Sequence, residues 1–355
     1  MRLVAIALLF TATTAGTEDL KAVIDQQAAT LSKDRPYLAA VIVVVVGKDE
    51  IVVPVGLSDG KAPDRDSVFE IGSITKTFTG LLLADRVAAG IVKLDDPIQK
   101  HLPTGWVMPR RDERDISLIQ LATHTSGLAA LPNGFIIRVL VEPKNPYAKY
   151  TPAMLCKALP KTPINHPIGA RHEYSNLGVG LLGHALAHAS KVDSYEHLLS
   201  DRVLKPLVMT DTGFALTDGM KKRLIPGFTA KGESTPTWEF GCLEACGGLR
   251  STAADMVKYV RANLDPPEAL KAAVAMTHQP WRELVAKQSE VGLCWMRRVL
   301  PSNRFAVWHN GQTGGYHSFV GVVPGKGGIA VLCNVATGKV DEVGFTLLER
   351  LAGEK

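Results

Sequence analysis

Val41-Ile42-Val43-Val44-Val45-Val46 places six β-branched residues in succession. Such side chains are stiff in helices and sit well on a pleated surface. A run of this kind without polar alternation predicts a strand over 37–46 that is buried on both faces. Gly47-Lys48-Asp49-Glu50 then turns the chain, and Ile51 to Leu57 returns as a second strand. Ahead of the run, Leu20, Val23, Ile24, Ala28 and Leu31 recur at helical spacing and predict a helix over 19–31. Strand patterns come back only near the other terminus, at 304–309, 318–323 and 329–334. Pro324-Gly325-Lys326-Gly327-Gly328 supplies the turn between the last two, and a closing helix follows over 340–351. Between these ends, roughly 95–285, Pro, Gly and short helical patterns such as 116–123 and 177–189 prevail. The expectation is an α/β fold. An antiparallel sheet built from both termini (16–72 and 286–355) is flanked by helices, and a mainly helical lobe (73–285) is inserted between them.

The 355 residues are 46% apolar and 21% charged, enough for a sizeable core and too few charges for disorder. The formal charge of +5 is spread without basic blocks, which argues against a dedicated nucleic-acid binder. Five cysteines do not make a disulfide scaffold; Cys242 and Cys246 are the closest pair, and spacing alone does not bond them. After the N-terminus no apolar run is long enough to span a membrane. Met1-Arg2, the apolar run Leu3 to Phe10 and the small residues Thr13-Thr14-Ala15 describe a secretory signal cleaved near residue 15. The expected location is therefore outside the cytoplasm, in the periplasm.

Several motifs fail on context. Gly178-Val179-Gly180-Leu181-Leu182-Gly183 matches G-x-G-x-x-G, but the polar Arg171 to Asn176 before it is no strand, so an oxidoreductase is a distant reading and helix packing the better one. His184 and His188 stand at i, i+4, but Ala185 replaces the glutamate of a metalloprotease, leaving two helix-surface histidines and no metal site. The pattern S-x-x-K occurs twice. Ser58-Asp59-Gly60-Lys61 contains the turn pair Asp-Gly. Ser73-Ile74-Thr75-Lys76 instead opens a helix, where i and i+3 share a face, so Lys76 can reach the Ser73 hydroxyl and take its proton.

Downstream of that helix stand Tyr174-Ser175-Asn176 and Trp308-His309-Asn310-Gly311-Gln312-Thr313-Gly314-Gly315, the latter on the edge of an expected strand. In this order the three elements resemble the serine β-lactamase and penicillin-binding-protein superfamily. Within it the likeness is to the class C β-lactamase branch, which also holds D-alanyl-D-alanine carboxypeptidases, D-aminopeptidases and family VIII esterases. Lys93 to Pro97, His124-Thr125-Ser126-Gly127-Leu128 and Gly247-Gly248-Leu249 agree, and the similarity runs from about Tyr37 to Leu351.

The resemblance implies a β-lactamase/transpeptidase-like fold and a serine hydrolase without metal or organic cofactor. Ser73 matches the nucleophile, Lys76 the lysine that helps take its proton, and Tyr174 the proton shuttle. Asn176 matches an asparagine that contacts Lys76 and the substrate amide. His309, Gly311, Gln312 and Thr313 match the substrate-facing strand, with the Ser73 and Gln312 N–H groups forming the oxyanion hole. The implied partner is a small β-lactam, a cell-wall peptide or an ester. A rival reading is a penicillin- or wall-binding module that does not turn over. Two departures stand out. The chain has no E-x-x-x-N, so no class A deacylation glutamate is present. His309 replaces the usual lysine, and an unperturbed histidine titrates near ~6.5, so its hold on a substrate carboxylate is expected to weaken across neutral pH.

Overall fold

The structure is a computed structural model that describes residues 8–284 and 289–353, with the backbone alone for 8–18. The expected address segment over 1–15 lies outside the described residues up to Ala7. From Leu8 the backbone belongs to α1 (Leu8–Ser32), which starts earlier than the helix expected over 19–31. The other helices that frame the sheet and the site are α2 (Thr75–Ala88), α3 (Asn176–Ala189), α4 (Ala253–Leu264), α5 (Glu268–His278) and α6 (Lys339–Leu351). Among the described residues, no helix is long and apolar enough to cross a membrane.

One antiparallel sheet of eight strands carries the fold. In chain order they are β1 (Ala39–Val46), β2 (Asp49–Gly56), β3 (Arg282–Glu283), β4 (Ser289–Val291), β5 (Met296–Val299), β6 (Phe305–Gln312), β7 (His317–Val323) and β8 (Gly327–Cys333). In space they lie in the order β2-β1-β8-β7-β6-β5-β4-β3. The first and last thirds of the chain thus meet where β1 pairs with β8, Val41 facing Leu332 and Val43 facing Ala330. Strand β1 is buried on both faces because its side chains alternate between two cores. Val41, Val43 and Val45 pack toward the helical part of the molecule, with α4 beneath them. Ala40, Ile42 and Val44 pack on the opposite face against α1 and α6. The short strands β3 to β5 were not expected. They are short and rich in Arg and Glu, and β3 forms the edge of the sheet, where no apolar pattern is needed.

All five cysteines are free, so Cys242 and Cys246 are not bonded. Ser58 and Lys61 exchange backbone hydrogen bonds of 2.8 and 2.9 Å across a turn in which Asp59 and Gly60 both have positive φ, as that S-x-x-K was read. Gly178, Gly180 and Gly183 all lie within α3, with no strand before them. They serve packing: a Cβ on Gly183 would fall 2.4 Å from the Ala245 Cβ, so the turn Gly241–Cys246 lies directly on the helix. His184 is not a plain surface residue, since its Nε2 bonds the Cys242 carbonyl at 2.7 Å beneath Trp106. His188 is exposed.

Gly183→Val should force turn and helix apart. The expected loss is about 1–3 kcal/mol, the usual range for overpacking, read by urea unfolding. An unchanged midpoint would show that this helix–turn approach is not close-packed.

Candidate active site

The chain enters the site through a short ribbon in which Val68–Glu70 pairs with Arg250–Thr252. It then makes one tight turn, Gly72–Ile74, and runs into α2. The turn is tied down at Ile71, whose N–H donates to the Leu249 carbonyl (3.1 Å) and whose carbonyl accepts from the Ser318 hydroxyl (2.8 Å). Gly72 has φ +49°, and a Cβ there would fall 2.7 Å from the Gln312 nitrogen. From the other side, a Cβ on Gly311 would fall 2.0 Å from the Ile71 oxygen and 2.9 Å from the Ser73 nitrogen. Only glycine fits such a backbone-to-backbone approach. It brings the Ser73 and Gln312 amide nitrogens to one seam between the helix start and the end of β6.

Ser73 is half-buried and Lys76 has no exposed surface. The lysine Nζ lies 2.9 Å from Ser73 Oγ and 2.5 Å from the Cys246 carbonyl oxygen. A carbonyl can only accept, so one N–H of Lys76 is committed to Cys246. Nζ also sits 4.8 Å from the centre of the Tyr174 ring. Tyr174 itself is 38% exposed, at the mouth of the site.

Behind Tyr174 stands His124, with φ +55° and its ring 4.5 Å from the tyrosine ring. The Ser175 N–H donates to His124 Nδ1 at 3.2 Å, so the ring proton is on Nε2, which is buried without a hydrogen-bond partner. Burial, and then the nearby Lys76, hold the His124 imidazole well below its ordinary value. His172 packs edge-on against it and is lowered by burial as well.

Asn176 opens α3, capped by the Ser175 hydroxyl. The expected contact with Lys76 is not formed: Asn176 Oδ1 has no partner, while its Nδ2 donates to the Tyr147 hydroxyl at 2.8 Å. On β6, side chains alternate. Asn310 turns away and donates to Asp341 of α6 at 2.7 Å, whereas the His309 ring lies 6.2 Å from that of Tyr174. Gln312 is exposed at the strand end, and buried Thr313 follows it, its N–H donating to the Tyr316 carbonyl at 3.1 Å.

His309 departs from the expected neutral-range titration. It is 3% exposed, and burial, followed by the nearby Lys76, pushes it down to about 4. Its Nδ1 is 2.5 Å from the Asn310 carbonyl oxygen, so Nδ1 carries the proton and Nε2 offers a lone pair. The imidazole is neutral at neutral pH because its surroundings are dry and already hold a lysine.

A sequence profile of the family described as Beta-lactamase matches residues 22–353. The chain belongs to the β-lactamase family. It is 29% identical over 280 residues to the D-alanyl-D-alanine-carboxypeptidase/endopeptidase AmpH of Escherichia coli (strain K12), covering 74% of this chain and 70% of that one. A β-lactamase of Pseudomonas fluorescens is 28% identical over 355 residues, with 89% and 94% covered. Among solved structures, a β-lactamase/D-alanine carboxypeptidase from Yersinia pestis complexed with citrate superposes with a TM-score of 0.79 at 25% identity, covering 94% of this chain and 98% of that one. A class C β-lactamase superposes with a TM-score of 0.81 at 20% identity, covering 94% and 96%, and shares the fold.

Within this β-lactamase-family fold, the structure brings Ser73, Lys76, Tyr174 and His309 together, sets Gly311 and Gln312 against the helix start, and pairs Asn176 with Tyr147. The Cys246 carbonyl and the Tyr147 hydroxyl take part in these contacts, and neither carries a motif of its own. Among the described residues, no cluster of His, Cys, Asp or Glu is gathered to hold a metal.

Glu70, three residues before Ser73, is 2% exposed and accepts the Trp238 N–H at 2.6 Å. Burial pushes its carboxyl up to about 7 from 4.5. An acid raised in this way favours the folded state fully below the unfolded value, and that contribution is lost as pH rises toward about 7. Glu70→Gln keeps the acceptor without the charge. Its melting temperature relative to wild type should therefore rise between about pH 4.5 and about pH 8. A difference that stays constant over that range would show that Glu70 ionises normally in the fold.

Proposed function

We propose that the protein is a serine hydrolase that forms an acyl-enzyme on Ser73 with β-lactams or D-alanyl peptide bonds. The observation that carries this reading is the fully buried Lys76, with Nζ 2.9 Å from Ser73 Oγ and one N–H held by the Cys246 carbonyl. This places Nζ within proton-transfer reach of the serine hydroxyl. The Ser73 proton passes to Lys76 as Oγ bonds to the substrate carbonyl carbon. The electron pair of the carbonyl moves onto its oxygen, where the Ser73 and Gln312 N–H groups receive it. Collapse breaks the C–N bond, and the leaving nitrogen takes a proton through Tyr174. Water then attacks the ester, giving its proton back by the same route and releasing the carboxylate product and Ser73. The unpartnered Asn176 Oδ1 is an acceptor for a substrate amide N–H. The names of the relatives in Escherichia coli and Pseudomonas fluorescens support this substrate class. The apolar start of the chain supports export, to where such substrates are met.

A second reading, small uncharged acyl donors such as esters, is favoured by one feature. Neutral His309 supplies no positive charge for a substrate carboxylate.

Intact mass followed over time with a penicillin separates the readings. A transient adduct, mapped by peptide digestion to Ser73 and absent in Ser73→Ala, is the expected result. Ser73→Ala should retain only the roughly 10³–10⁴-fold over water that binding and oxyanion contacts supply. A permanent adduct would indicate a binding module, and a label on Ser58 would overturn the assignment.

The charge state of His309 is read separately. The ratio of kcat/KM for a carboxylate-bearing substrate to that for a neutral ester cancels the titrations common to both. With His309 held down at about 4, the ratio should stay flat from about pH 5.5 to about pH 8. A ratio that falls as pH rises through this range would show that His309 is charged at its lower end.

A further inference from the structure

The short helix Ile136–Val141 has an unusual outer face. Ile136, Ile137, Leu140 and Val141 are 64, 62, 74 and 67% exposed. They fall at i, i+1, i+4 and i+5, one side of the helix. The opposite side is also apolar: Phe135 is buried against the rings of Tyr147 and Tyr150, at 4.9 and 5.1 Å, and Val139 packs on the core. A helix that only covers a core in water carries polar residues outside. Here the outer side is a ridge of large aliphatic residues, with Met154 exposed beside it across a shallow cavity of about 390 Å³ lined also by Ile137, Lys157 and Lys161.

Charge is concentrated on the same segment. Between Asn133 and Lys161 the chain has five basic residues, Arg138, Lys144, Lys149, Lys157 and Lys161, against the single acid Glu142, while the whole chain carries only +5. They are too widely spaced to form a block in sequence. Glu142 engages Arg138 and Lys149. Lys144, Lys157 and Lys161 are exposed.

We propose that this ridge and its lysines form a docking surface for an anionic lipid bilayer. Aliphatic side chains enter the headgroup boundary while lysines reach the lipid phosphates, the pairing that holds interfacial helices on anionic membranes. A second copy of the chain is the poorer occupant, since face-to-face contact would bring two sets of lysines together. The segment is fixed to the rim of the cleft. The Lys144 carbonyl accepts from Trp238 Nε1 at 2.6 Å, and Trp238 lies so close to Gly314 that a Cβ there would fall 2.6 Å from the same nitrogen. Docking would therefore hold the cleft close to the bilayer surface.

The test is co-sedimentation of the full chain with vesicles of phosphatidylcholine alone or mixed with phosphatidylglycerol. The wild type should pellet with the mixed vesicles, remain in solution with phosphatidylcholine, and be released by salt. Lys157→Gln and Lys161→Gln should each weaken binding about fivefold, the equivalent of ~1 kcal/mol per lysine near such a surface. Ile137→Glu/Leu140→Glu should weaken it further, with the circular dichroism spectrum unchanged. Hydrolysis of a soluble neutral ester, if the wild type shows it, should also be unchanged. Absence of binding at low salt, equal binding to both vesicle types, or binding indifferent to the lysine variants would overturn the proposal. So would a concentration-dependent dimer dissolved by the double glutamate variant, which would place a second copy on this face.

Discussion

A lysine with no exposed surface can be tolerated only if its polar head finds partners in place of water. Lys76 finds two, and both are consequences of backbone placement. Ser73 is supplied by the preceding turn of the same helix start. The Cys246 carbonyl is supplied by a turn more than 150 residues later in the chain, which reaches the lysine because Gly180 and Gly183 let it lie directly on α3. On the far side, glycines at 72 and 311 let the helix start touch the end of β6. The site therefore depends less on which side chains line it than on how closely four backbone segments approach one another.

This explains what could be read in advance. The run Val41 to Val46 was legible because burial on both faces leaves an unbroken apolar pattern, and β7 and β8 share that property. Strands β3 to β5 were not legible, because a polar edge looks like a loop. Ser73 and Lys76 were legible because their contact is local, three residues apart on one helix. The carbonyl of Cys246 was not, since a backbone acceptor leaves no trace in residue identity. For Asn176 a contact with Lys76 was expected, whereas its Nδ2 donates to Tyr147 from a distant segment and its Oδ1 has no partner.

The state of His309 belongs to the same class of hidden facts. Residue type set an expectation near neutrality, whereas the ionisation of a buried group is decided by everything packed around it. His124, His172 and His309 are all displaced downward by burial, and His124 and His309 also by Lys76. Burial thus favours the neutral form of three imidazoles that would be partly charged in water near pH ~6.5.

That neutrality has a structural origin and a chemical consequence. Charged imidazoles at His124 and His309 would repel the lysine beside them. Neutral ones leave the lysine, the serine and the two strand-seam amides as the groups that respond to negative charge developing on a substrate. The rings of His124 and His309 lie 4.5 and 6.2 Å from that of Tyr174, which is 38% exposed. For the hydrolase proposed above, the electrostatics would then act on the carbonyl under attack, and shape around that carbonyl would separate its substrates.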